Sequence, residues 1–78
     1  MSALLEEVRE YRRLPSPEQR RAIRLEAHVS QEAIANALGV HRVSVARWEM
    51  GTRVPRRKVR LAYAMLLEEL RRELEGEP

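Results

Sequence analysis

The chain has no cysteine, no aspartate and no phenylalanine, and only three glycines in 78 residues. Without cysteine there is no disulfide to brace a small fold, no thiolate nucleophile and no cysteine-rich zinc site. So few glycines cannot supply a Gly-rich phosphate loop. His28 and His41 stand 13 residues apart with no second histidine at ligand spacing, so no metal and no cofactor are expected. Of the four serines, Ser2, Ser16 and Ser30 read as helix caps, which leaves no converging set for catalysis and favours a binding protein over an enzyme. No run of 18 apolar residues occurs, and Met1 leads into Glu6 and Glu7 rather than a basic and then an apolar segment. The cytoplasm is the expected location.

The hydrophobic content of 44% is that of a folded protein, but Trp48, Tyr11 and Tyr63 are its only aromatics, so the core must be built from aliphatic side chains. Leu, Ala, Glu and Arg are strong helix formers, and apolar residues recur at threes and fours without alternating, so the expectation is an all-α fold of about five helices. Ser2 can cap a first helix over about 3–14, with Leu4, Val8 and Tyr11 on one stripe, ended by Pro15. Ser16-Pro17-Glu18-Gln19 is a capping box opening a helix over about 17–27, with Ala22, Ile23 and Leu25 as its apolar side. Ser30 caps a third, about 31–38, carrying Ile34 and Leu38 and stopped by Gly39. A fourth runs over about 42–50 to Gly51, and a last over about 56–75, with Val59, Ala62, Leu66, Leu70 and Leu74 in line before a frayed end at Gly76-Glu77-Pro78. The length allows one domain: an N-terminal helical extension over 1–15, a core over 16–66 and a helical extension over 67–78.

The basic charge is unevenly placed. Residues 1–37 carry six basic and six acidic side chains, residues 38–60 seven basic against Glu49 alone, and residues 61–78 two basic against five acidic. A basic block between neutral and acidic segments is the footprint of a polyanion site, with a plain solvated face as the other reading.

Two short helices joined by a glycine-containing turn form a unit that places its second helix in the major groove of DNA. At about 100° per residue from Arg42, Val43 falls near 100°, Ala46 near 40° and Arg47 near 140°, whereas Val45 and Trp48 fall near 300° and 240°. One side of the helix is therefore apolar, and the opposite side carries two arginines, an alanine and an exposed valine. In a groove, arginine pairs with guanine O6 and N7, and valine meets a thymine methyl group. Arg53, Arg56 and Arg57, just past this helix, are placed to grip phosphates, with Lys58 and Arg60 opening the next helix beside them. Ser44, near 200°, can reach a phosphate or its own helix, and His41 can act as a cap alone or also touch the backbone.

The run from Ser30-Gln31-Glu32 through Leu38-Gly39-Val40 to Val45-x-x-Trp48-Glu49-x-Gly51, with Pro55 after it, resembles the helix-turn-helix of the phage repressor and Cro family. The resemblance covers roughly residues 17–66. It implies that Arg42, Val43, Ala46 and Arg47 face bases, that Gln31 touches a phosphate, and that Glu49 pairs with Arg24. The long last helix and the helix before Pro15 depart from the family pattern. The function implied is sequence-specific binding of double-stranded DNA by a small transcriptional regulator, most simply a repressor. A helical adaptor for another protein is the alternative. A homodimer on a two-fold operator follows from the usual pairing of half-sites. Leu66, Leu70 and Leu74, with Leu4 and Val8, are its candidate surface, unless the first helix folds over the last within one chain.

Overall fold

Local stop and start signals divide the chain into α1 (Ser2–Arg13), α2 (Pro17–Glu26), α3 (Gln31–Leu38), α4 (Arg42–Met50) and α5 (Arg57–Gly76), with no strand among the described residues. The computed structural model describes residues 2–76, without the side chains of Ser2, Glu7, Glu10, Tyr11 and Arg12. The Ser2 cap, the place of Tyr11 on the α1 stripe and the end at Glu77-Pro78 lie outside that description.

At the start of α2, Gln19 N donates to Ser16 Oγ at 3.2 Å and Ser16 N donates to Gln19 Oε1 at 3.0 Å, so two otherwise orphaned amides are satisfied reciprocally. Ala33 N donates to Ser30 Oγ at 3.0 Å and fixes the start of α3. Gly39 ends α3 at φ +69°, a left-handed turn that costs an L side chain strain even though a Cβ there would meet nothing. Gly51 ends α4 in the same way at φ +75°. The end of α2 falls where expected, with Ala27 as its C-cap, but lacks such a glycine. It stops at Glu26, and His28 takes a left-handed φ of +57° with no glycine to mark the turn.

Leu14, Ile23, Ile34, Ala35, Val45, Trp48, Tyr63, Ala64 and Leu67 form the core. Trp48 and Tyr63 pack at its centre with ring centroids 5.1 Å apart and planes tilted by 40°. Two apolar faces expected from sequence are corrected. The inward face of α2 is Arg20, Ile23 and Arg24, spaced at three and four, while Leu25 lies about 200° round the helix from Ile23 and is exposed, as is Ala22. In α5 the buried line runs through Tyr63, Ala64 and Leu67, and Ala62 faces solvent. The apolar arc of α5 is broad, and Tyr63, Leu67, Leu70 and Leu74 cluster within about 60° of one another, which moves its centre away from Ala62.

The α1 helix lies against α5 of the same chain, and Arg13 Nη2 reaches Glu68 Oε1 at 3.2 Å between two half-exposed side chains. Leu66 and Leu70 pack on the core, whereas Leu4, Leu5 and Val8 remain exposed. Among the described residues, no helix is long and apolar enough to cross a membrane.

Candidate nucleic-acid interface

Val45 and Trp48 anchor α4 from inside, and this decides what its other side presents. Arg42, Val43 and Arg47 are exposed and Ala46 is half-buried, on the face turned away from the core. Val43 is 48% exposed, a valine that contributes little to packing. Met50, 74% exposed, belongs to the same face at about 80° from Arg42, between Val43 and Ala46. The sequence reading overlooked it, although the same angular step locates it.

The inner edge of α4 is tied down by charge. Glu49 is buried and accepts from Arg24 Nε at 2.6 Å and Arg24 Nη2 at 2.8 Å. This bond to Glu49 raises the pKa of Arg24 above its ordinary value, against the opposing effect of burial. Arg24 Nη1 also donates to Val29 O at 3.0 Å, which ties the irregular end of α2 to the same cluster. Arg20 is held similarly, with Nε donating to Pro15 O at 2.7 Å and Nη1 to Trp48 O at 3.1 Å. Both guanidinium groups thus stay hydrogen-bonded while their stems fill the space beside the core.

Gln31 extends this cluster outward. Its Nε2 donates to Glu49 Oε1 at 3.1 Å, and its Oε1 accepts a long 3.5 Å bond from Arg42 Nη1. The residue that the resemblance assigns to a phosphate therefore spans the gap between the buried carboxylate and the first arginine of α4. Tyr63 Oη is buried with no hydrogen-bond partner among the described residues. Burial, reinforced by the negative charge of Glu49, pushes the Tyr63 hydroxyl up to about 12, against the opposing pull of Arg20 and Arg24.

His41 sits at the N-cap of α4 in extended backbone, but its side chain makes no capping bond, so the imidazole does not act as the cap that the sequence suggested. Ser44 N donates to His41 O at 2.9 Å, and the His41 and Ser44 side chains both line a cleft of about 510 Å³. Arg53 and Arg56, from the connection after Gly51, line it from the other side together with Lys58. Arg57, the first residue of α5, is exposed but not part of the cleft. Arg60 turns back, its Nη2 donating to Pro55 O at 3.2 Å. Among the described residues no three histidines or glutamates come together as a metal ion would require.

The arrangement joins a helix anchored by its buried side, whose outer face mixes cations with small and apolar side chains, to a cationic flank formed by Arg53, Arg56 and Lys58. Such a face complements base edges, and such a flank complements phosphates. A family model described as helix-turn-helix matches residues 21–73, about two thirds of the chain. No curated protein and no solved structure matches it.

Proposed function

The chain belongs to the helix-turn-helix family of phage repressor and Cro type, and so binds DNA, and we propose that it does so as a sequence-specific transcriptional repressor reading the major groove with α4. The observation that carries the reading is the pair of opposed faces on α4: Val45, Trp48 and Glu49 buried, Arg42, Val43 and Arg47 exposed. In this reading Arg42 and Arg47 pair with guanine edges, Val43 meets a thymine methyl group, and Ala46 is small enough to let the helix approach. Gln31, His41, Ser44, Arg53, Arg56 and Arg57 position the helix through phosphates, without reading sequence themselves.

Residues 1–78 work as one domain in this proposal, with α1 as an extension outside the matched region. Two copies bind inverted half-sites with centres about 34 Å apart, one helical turn of DNA. The exposed Leu4 and Val8 of α1 are available for contact between copies.

The test is selection of bound duplexes from a random pool, with the enriched duplexes re-measured at two salt concentrations. An enriched inverted repeat with affinity that falls steeply with salt is the expected result. A single half-site would remove the dimer and keep the reading helix. Salt-sensitive binding without enrichment would remove sequence specificity, and no binding at all would transfer these surfaces to a protein partner.

A further inference from the structure

The cleft beside α4 gathers four cationic side chains around one concavity. The turn over 39–41, one flank of α4, the connection over 53–56 and the first turn of α5 enclose it. Arg47, Arg53, Arg56 and Lys58 line it with His41 and Ser44, and no carboxylate does. None of those four cations enters an ion pair among the described residues, because the nearest acid on α4, Glu49, is committed to Arg24. Like charges on a convex surface spread into solvent. Gathered around a concavity with a low-dielectric floor, they focus the field on whatever anion enters.

That floor is apolar, formed by Val40, Trp48 and Val59, with the half-exposed Val54 at its edge. A bare inorganic ion satisfies the rim and leaves the floor wet. A phosphate ester satisfies both, its phosphoryl oxygens on the arginines and its organic body against valine and tryptophan. The ester can come from a DNA backbone or from a free nucleotide. A duplex is stiff and convex and presents its phosphates to the rim, whereas about 510 Å³ falls within the roughly 300–1,000 Å³ typical of small-molecule sites.

We infer that the cleft binds a free nucleoside polyphosphate. Because His41, Ser44, Arg47, Arg53 and Arg56 are also assigned to DNA above, the bound nucleotide excludes the duplex. That competition rests on the DNA-binding reading, while the site itself does not. The chain thereby acquires a direct chemical control, exerted on the same arginines that are assigned to the operator.

Trp48 is the only tryptophan and lines the cleft, so its emission reports on occupancy of the full chain without a label. ADP is the probe, with adenosine, pyrophosphate and potassium chloride at matched ionic strength as comparisons. ADP is expected to shift the emission saturably, adenosine and the salt to leave it unchanged, and pyrophosphate to bind more weakly than ADP. Arg53→Ala and Arg56→Ala, both at exposed positions, are each expected to weaken ADP by about tenfold through loss of a charge-assisted bond. Arg71→Ala, an exposed arginine outside the cleft, is expected to leave it unchanged. ADP should also raise the apparent Kd of the selected duplex.

A response that potassium chloride reproduces, or equal losses in Arg56→Ala and Arg71→Ala, would overturn the site. So would ADP binding that leaves duplex affinity untouched, since the ligand would then sit elsewhere. Duplex binding without any ADP response removes this inference and keeps the DNA reading. The predicted ADP response in a chain that binds no duplex keeps the site and removes that reading.

Discussion

Arg24 of α2 and Glu49 of α4 face each other across two parallel hydrogen bonds of 2.6 and 2.8 Å, with their side chains only 10% and 2% exposed. At that depth solvent screens little, and the carboxylate depends on Arg24 for compensation of its charge. Arg24→Ala should therefore lower stability by about 3–5 kcal/mol, the range for breaking a buried pair from one side. Arg71→Ala, at an exposed site, should stay within about 0.5 kcal/mol. Urea unfolding of both variants decides it, and equal small losses would mean that the pair does not hold α4 in place. Replacing both partners with apolar residues of similar size should recover most of the loss, because no charge is then stranded.

Where the determinants are local, the sequence already carries the fold. Ser16 with Gln19, Ser30, Gly39 and Gly51 act within four residues of the helix ends they control, and α3 and α4 are bounded where those signals stand. The two faces of α4 follow from its angular step alone. The inward turn of Arg20 is not legible, since its burial depends on Trp48 O, 28 residues further along the chain, whereas Arg24 follows only from the resemblance that pairs it with Glu49. The centre of α5 on Tyr63 is not legible either, because several apolar lines on a wide arc are equally plausible until a partner helix selects one. The cleft beside α4 needs the turn over 39–41 and the connection over 53–56 to meet across α4, which no spacing along the chain announces.

Tyr63 keeps its hydroxyl buried without a hydrogen-bond partner among the described residues, a donor whose desolvation they do not repay. Tyr63→Phe retains the ring against Trp48 and should raise stability by about 1 kcal/mol at neutral pH. The same residue gives an alkaline signature. Its pKa is raised in the folded chain from the ordinary 10.0 to about 12, so its contribution to stability is intact below pH 10 and is lost as pH climbs from 10 through 12. Unfolding free energies at several pH values should fall over that window in the parent chain, by on the order of 2 kcal/mol, and should fall less in Tyr63→Phe. Parallel curves for the two proteins would contradict this account.

His28 holds a left-handed φ of +57° at an exposed position, while the amide of Val29 donates back to Arg24 O at 3.1 Å to close the end of α2. A Cβ in that region costs about 1–2 kcal/mol, and glycine loses part of the benefit through the freedom of its unfolded chain. His28→Gly should therefore raise thermal stability by about 0.5–1 kcal/mol, whereas His28→Ala, which keeps a Cβ, should bring no such gain. A melting temperature that drops in the glycine variant would mean that the imidazole supports the turn in some other way.

Arg42 and Arg56 separate the two jobs assigned to the cationic surface. Arg42 lies on the outer face of α4, and its replacement by alanine should cost about 1–3 kcal/mol on the selected duplex and relax the base preference at one position. Arg47→Ala should do the same at a neighbouring position, with some loss of phosphate attraction because that side chain also borders the cleft. Arg56 stands before the first turn of α5 and faces no base in this scheme, so Arg56→Ala should weaken all duplexes alike. It should also reduce the log–log salt slope by about 0.9, the share of one neutralised phosphate. Titrations of the selected duplex and a scrambled one, each across a salt series, measure both effects together. If Arg42→Ala flattened the salt slope without altering base preference, α4 would be clamping the backbone, and the reading surface would have to be sought elsewhere on the chain.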